Sequence, residues 1–189
     1  MRNLLLTLCL LATAGCDGIA IDLAGPQIMG SRTHESPVVN LPVALRQRNW
    51  LSPRAEGSCT HATTVMLFRW QNMPNTAEWW RQNHSGGETP ESLCADLDAA
   101  GIRYVMTVGE KDVAFLEWSV KNRRGCGVTV MGGRHMVLLA DITASQVAIV
   151  DNNDPENVIW VERESFLAEW FNSNSWALVP VYSPIPERP

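Results

Sequence analysis

The stretch 134-RHMVLLADITASQVAIVDNNDP-155 decides how this chain is read. Two apolar runs flank the turn-like ITAS, the pattern of a β-hairpin. Strand side chains alternate with period two, so a turn centred at Thr143 sets Leu139 opposite Val147, Val137 opposite Ile149 and His135 opposite Asp151. Directly opposed residues hold their Cβ atoms about 4.5–5.5 Å apart, close enough for an imidazole and a carboxylate to hydrogen-bond. Such a carboxylate fixes the imidazole tautomer and stabilises imidazolium, as the third member of a nucleophilic triad does. Taken alone, the pair also fits a satisfied strand histidine beside an aspartate that ends its strand.

Upstream, 56-EGSCTHATTVMLFRW-70 adds weight to the first reading. The run from Thr60 to Trp70 is apolar nearly all round, as for a helix buried inside a domain. Cys59 opens it, and a thiol at a helix N-terminus feels the positive end of the helix dipole, which favours thiolate. Gly57 and Ser58 permit the tight turn this needs. His61 is a rival base, but two positions along one helix point to different sides, so it reads as packing or rim. His34 and His84 lie in loop-like sequence and are expected at the surface.

Between these segments, Glu78 to Gln82 reads as a short helix. Thr89 is an N-cap and Pro90 a first helical residue for ESLCADLDAA, with Gly101 as the stop. IRYVMTV reads as a strand, and Lys111 to Asn122 as a helix. Strands GVTVM, RHMVLLAD and QVAIVD follow, then a helix around ESFLAEWF and a last strand WALVPVY. Helices first and an antiparallel sheet after them make an α+β domain.

At 189 residues, with 46% apolar and 19% charged residues, the chain supports one ordinary core. A net charge of −5 without any Lys/Arg cluster argues against nucleic acid and anionic membrane surfaces as partners. Residues 1–16, MRNLLLTLCLLATAGC, read as a secretory signal too short for a permanent span. The ATAGC segment resembles the bacterial lipoprotein signal, which implies lipidation at Cys16 and an exported chain, anchored by that lipid or secreted. Residues 17–40 read as a tether or irregular lead-in, and 41–189 as the functional domain. After export, Cys59, Cys94 and Cys126 remain. Either Cys94 and Cys126 pair and leave Cys59 free, or all three are reduced and buried. No cysteine pair has the close spacing that nucleates a zinc site.

A cysteine opening a buried helix, a His-x-Val strand, and an acid sixteen residues on that leads into Asp-Pro resemble the papain-like cysteine peptidases. The bacteriocin-processing branch and its stand-alone relatives are the nearest in pattern. The residues are Cys59, His135, Asp151, and the Asp154–Pro155 pair, and the resemblance covers roughly 47–181. It implies a papain-like fold and thiol-dependent hydrolysis of a peptide or amide bond, with no metal or organic cofactor. In that family a glutamine about six residues before the cysteine helps hold the oxyanion. Pro53 stands there, and Gln47 or Asn49 could replace it if 51–56 loops outward. A transglutaminase-like or amidase acyl transfer on the same triad, and an inactive papain-like binding module, are the competing expectations.

Overall fold

The computed structural model describes the backbone of residues 31–33, together with residue 39 and residues 41–181. Among them run β1 (Ser31–Thr33), α1 (Cys59–Trp70), α2 (Pro74–Asn83), α3 (Pro90–Ala99), β2 (Tyr104–Thr107) and α4 (Val113–Lys121). Then come β3 (Cys126–Val130), β4 (His135–Ile142), β5 (Gln146–Val150), β6 (Val158–Glu162), α5 (Arg163–Asn172) and β7 (Ala177–Pro180). The strands form one antiparallel sheet in the order β1-β6-β5-β4-β3-β7-β2, so the chain is α+β.

Strand alternation divides the core by side. Val128 of β3, Val137 and Leu139 of β4, and Ile149 of β5 pack with Phe115 of α4 and Trp170 of α5. Met136, Leu138 and Val150 point the other way, into two clusters built with α1, α2 and α3. α1 lies against the middle of this second face and is buried from Cys59 to Phe68, which explains why its sequence shows no polar stripe. Its close approach depends on Gly127, where a Cβ would run into the Met136 methyl and lie 3.3 Å from Thr63 Cγ2. α3 starts as its sequence dictates: Pro90 is at the first position and Thr89 Oγ1 accepts the Ser92 N–H at 3.2 Å.

Several expectations need correction. α2 begins at Pro74 and is longer than the Glu78–Gln82 reading. β6 was not legible as a strand, because VIWVE is buried on both faces and shows no alternation. Within the expected irregular lead-in, 31–33 adds a three-residue edge strand to β6. His84 does lie in a loop, at the end of α2, but it is half-buried: its ring stacks on Trp80 with centroids 3.8 Å apart and an 11° interplanar angle. Residues 1–16 with Cys16, most of 17–40, and His34 lie outside the described residues.

The hairpin register differs too. Leu139 pairs with Ile149 and Leu138 with Val150, whereas nearer the turn Asp141 pairs with Ala148 and Ile142 with Val147. The shift is a β-bulge in which Ala140 and Asp141 face one residue of β5. Continued from the turn without it, the register would put Asp151 and His135 on opposite faces. The inserted residue restores the shared face, with Asp151 across from Val137 and diagonal to His135.

Candidate active site

His135 opens β4 and Asp151 follows the last residue of β5, so both stand at one end of the sheet. Their side chains meet with His135 Nε2 2.9 Å from Asp151 Oδ1, and each residue is 8% exposed. The carboxylate accepts, so the ring carries its proton on Nε2 and leaves Nδ1 as the basic nitrogen. Asp151 Oδ1 also accepts the Asn153 N–H at 2.9 Å, which fixes the carboxylate. The sequence-predicted His–Asp contact is therefore present, through a diagonal rather than a direct pairing.

Asn152 points to the other side of the sheet, as alternation requires, and ties α1 to β4. It is fully buried, and its Nδ2 donates to the Met136 carbonyl at 2.7 Å, Thr63 Oγ1 at 3.1 Å and the Cys59 carbonyl at 3.2 Å. Thr63 Oγ1 donates to the same Met136 carbonyl at 3.1 Å. Consecutive residues thus hold two halves of one site: Asp151 fixes the imidazole, and Asn152 fixes the helix turn that bears Cys59 beside the residue after His135. No sequence signal marked the structural part of Asn152.

Cys59 is the first residue of α1 and is fully buried, with Sγ 3.9 Å from Thr60 Oγ1. Its sulfur is engaged in a disulfide whose partner lies outside the described residues. Cys94 and Cys126 are both free thiols. The expected cysteine bookkeeping is thereby reversed, for a geometric reason. Cys94 packs with the α1–α3 side of the sheet and Cys126 with the α4–α5 side, so the sheet separates them. Burial pushes the Cys126 thiol up to about 12, an inert structural sulfur. Nucleophilic chemistry at Cys59 belongs to its reduced form.

The candidate oxyanion residues are placed as follows. Leu51 and Gly57 form an isolated antiparallel bridge, Ser52 N–H donates to the Glu56 carbonyl at 2.8 Å, and 53–56 loop outward. This brings Asn49 to the cysteine segment, where its Oδ1 accepts the Ser58 N–H at 2.8 Å. Its Nδ2 donates to Asn153 Oδ1 at 3.0 Å, and its N–H donates to the Asn152 carbonyl at 2.8 Å. Asn49 joins the Cys59 and Asp151 segments and is a positioning residue in this arrangement. Gln47 turns its amide onto the Arg48 carbonyl at 2.8 Å.

Near this site lies a titratable cluster that the sequence did not announce. His61 is 1% exposed and its Nδ1 accepts from Trp80 Nε1 at 3.2 Å, so its proton sits on Nε2, 3.6 Å from Glu88 Oε1. Burial, helped by the neighbouring His84, holds the His61 imidazole down at about 4 against the pull of Asp96. Glu88 is pushed up to about 7 by burial and then by the Asp96 carboxylate. His84 Nε2 lies 3.6 Å from Asp96 Oδ2. Among the described residues, no group of three or more His, Cys, Asp and Glu could hold a metal ion, and no helix is long and apolar enough to cross a membrane.

Of the eight tryptophans, Trp80, Trp118, Trp160, Trp170 and Trp176 are buried, while Trp79 is 46% exposed. Trp79 lines an open groove of about 820 Å³ with Met73, His84 and Ile102. A pocket of about 10 Å³ instead has Thr60, Glu88, Thr129, His135 and Trp176 in its wall. Comparison with protein-family profiles, curated proteins and solved structures finds no match to this chain.

Proposed function

We propose that the chain is an exported, thiol-dependent hydrolase of a peptide or amide bond, working through Cys59, His135 and Asp151 in a papain-like arrangement. The observation that carries this reading is the buried 2.9 Å contact between His135 Nε2 and Asp151 Oδ1 at the sheet end where Asn152 holds the Cys59 turn. It leaves Nδ1 as a base and supplies a negative partner for the imidazolium that forms when the thiol is deprotonated.

In the proposed cycle the reduced Cys59 gives its proton to His135 Nδ1 and the thiolate attacks the substrate carbonyl carbon. The tetrahedral oxyanion is held by the backbone N–H of Cys59 at the start of α1, where the helix dipole favours negative charge. Collapse breaks the C–N bond, and the imidazolium hands its proton to the leaving amine. Water, deprotonated by His135, then attacks the thioester; the acid leaves and the thiol is restored. Every step uses groups of this chain, and the substrate is a peptide or protein.

The experiment is mass analysis of peptide digests with the chain lacking residues 1–16, in thiol reductant, beside Cys59→Ala. New termini bearing one added water, present only with Cys59, support hydrolysis. Isopeptide products with an amine acceptor would assign the site to acyl transfer instead. Unchanged peptides in every digest would count against an enzyme and favour a papain-like binding module.

A further inference from the structure

Resting on that reading of the site, we propose that Glu88 is its specificity-determining residue and that it selects substrates carrying a primary ammonium group beside the scissile bond. A lysine-type side chain or a free α-amine would supply that group.

Position comes first. Glu88 ends the loop 84–88, just before the cap residue Thr89, and the loop is fastened to the nucleophile's own turn. Gly86 N–H donates to Ser58 Oγ at 2.9 Å, one residue before Cys59. Gly86 has φ +104°, and a Cβ there would lie 3.0 Å from Glu56 Oε2, so the loop needs glycine at that point. The carboxyl it delivers shares the wall of the 10 Å³ pocket with Thr60 and His135.

The state of the carboxyl comes next. Glu88 Oε2 is buried and has no hydrogen-bond partner among the described residues. Its only ion-pair partner among them is His61, on the other oxygen, and His61 is held neutral. Asp96 adds a second negative group and is itself matched with His84. Burial, the neighbouring Asp96 carboxylate and a hydrogen bond shared with it favour the neutral form of Glu88, against the Ser92 hydroxyl, which favours the charged one. A cation entering the pocket would provide a charged donor and draw Glu88 into its charged form.

Size selects which cation. A space of about 10 Å³ is close to that of one water, and an ammonium group is a compact point charge of similar size. A planar guanidinium is several times larger. The preference is therefore for lysine over arginine, which separates this proposal from a general attraction of the acidic chain for basic peptides.

The test uses the reduced chain without residues 1–16 and N-acetylated peptides that differ only in carrying lysine, arginine or norleucine next to the scissile bond. A fourth peptide has norleucine and a free N-terminus. A charge-assisted hydrogen bond corresponds to roughly 10–100-fold in binding or kcat/KM. The lysine or the free-amine peptide should exceed the norleucine peptide by about that factor, with arginine near norleucine, and which of the two wins identifies the source of the ammonium. Glu88→Gln should bring the favoured peptide down to the norleucine rate. Equal rates in the parent chain, or a lysine preference surviving Glu88→Gln, would overturn the proposal while leaving hydrolysis intact. If no peptide is cleaved, hydrolysis itself fails, and n-butylammonium titrated into Cys59→Ala decides the ammonium site by NMR. Saturable amide shifts at 58–61 and 86–88, lost in the Glu88→Gln double variant, support it; their absence contradicts it.

Discussion

The side-chain amide of Asn152 bridges the Cys59 carbonyl at 3.2 Å and the Met136 carbonyl at 2.7 Å, so one buried side chain sets the spacing between the cysteine-bearing helix and the histidine-bearing strand. Asn152→Ala removes one donor from each of the two carbonyls and from Thr63 Oγ1, and leaves the Met136 carbonyl only the Thr63 hydroxyl as side-chain donor. Each buried group left unsatisfied costs about 1–3 kcal/mol. We expect a total loss of about 2–4 kcal/mol in urea unfolding. Alkylation of reduced Cys59 should lose its pH profile in the variant even where the fold persists.

Asp151 is expected to act both through the oxygen that fixes the imidazole and through the charge that balances the imidazolium. Asp151→Ala leaves His135 Nε2 and the Asn153 N–H without their common acceptor and should lower kcat by about a hundredfold or more. Asp151→Asn keeps an oxygen in that place without the charge and should fall between the Ala variant and the parent. Steady-state kinetics of the two variants on one peptide gives the order. Parent-like rates in both variants would remove Asp151 from the site, and equally low rates would assign its part to the charge alone.

Close packing of α1 on the sheet depends on small residues in β3 and just before it. At Gly125, φ is +58°, and a Cβ would run into the Trp70 ring and lie 2.8 Å from the Leu139 carbonyl oxygen. Alanine there combines a left-handed backbone with overpacking and should cost about 3 kcal/mol. Gly127→Ala displaces mainly the flexible Met136 methyl and should cost about 1–2 kcal/mol. Urea midpoints at constant m-value test this ranking.

The buried acid and the buried imidazole have opposite effects on stability as pH changes. Glu88 is raised from 4.5 to about 7, so the folded chain holds the extra proton in that interval and stability falls as pH rises through it. His61 is lowered from 6.5 to about 4, so the unfolded chain holds the extra proton and stability rises with pH over that range. The two largely offset between 4.5 and 6.5, and the Glu88 loss stands alone above 6.5 and levels off once pH is past about 7. Glu88→Gln removes the falling component. It should gain stability relative to the parent between pH 5 and pH 8, on the order of 1–2 kcal/mol, less than the full shift because the side chain keeps 17% of its surface in water. A gap independent of pH contradicts the buried acid.

The site was legible in the sequence to the extent that period-two alternation survives small errors. The hairpin, the helix opened by Cys59 and the Thr89–Pro90 helix start each rest on local chemistry. The shared face of His135 and Asp151 does not, because it depends on the bulge at Ala140 and Asp141. The register and its bulge were not legible, because no residue near Ala140 or Asp141 differs from ordinary strand sequence. β6 was hidden by burial on both faces. Glu88, His61, His84 and Asp96 come from α1, α3 and the loop between α2 and α3, and only tertiary packing makes them one cluster. The cysteine pairing failed for the same reason, since spacing says nothing about which face of a sheet a thiol occupies.

The central claim is that reduced Cys59 and His135 work as a pair, and iodoacetamide alkylation of Cys59 against pH tests it most directly. The chain without residues 1–16 is compared in reductant with His135→Ala, and the modified peptide is quantified by mass. The account predicts a thiolate titrating well below the ordinary value of about 8.5, with the shift lost in the variant. An ordinary or raised value, indifferent to His135, would contradict it and make Cys59 a structural residue.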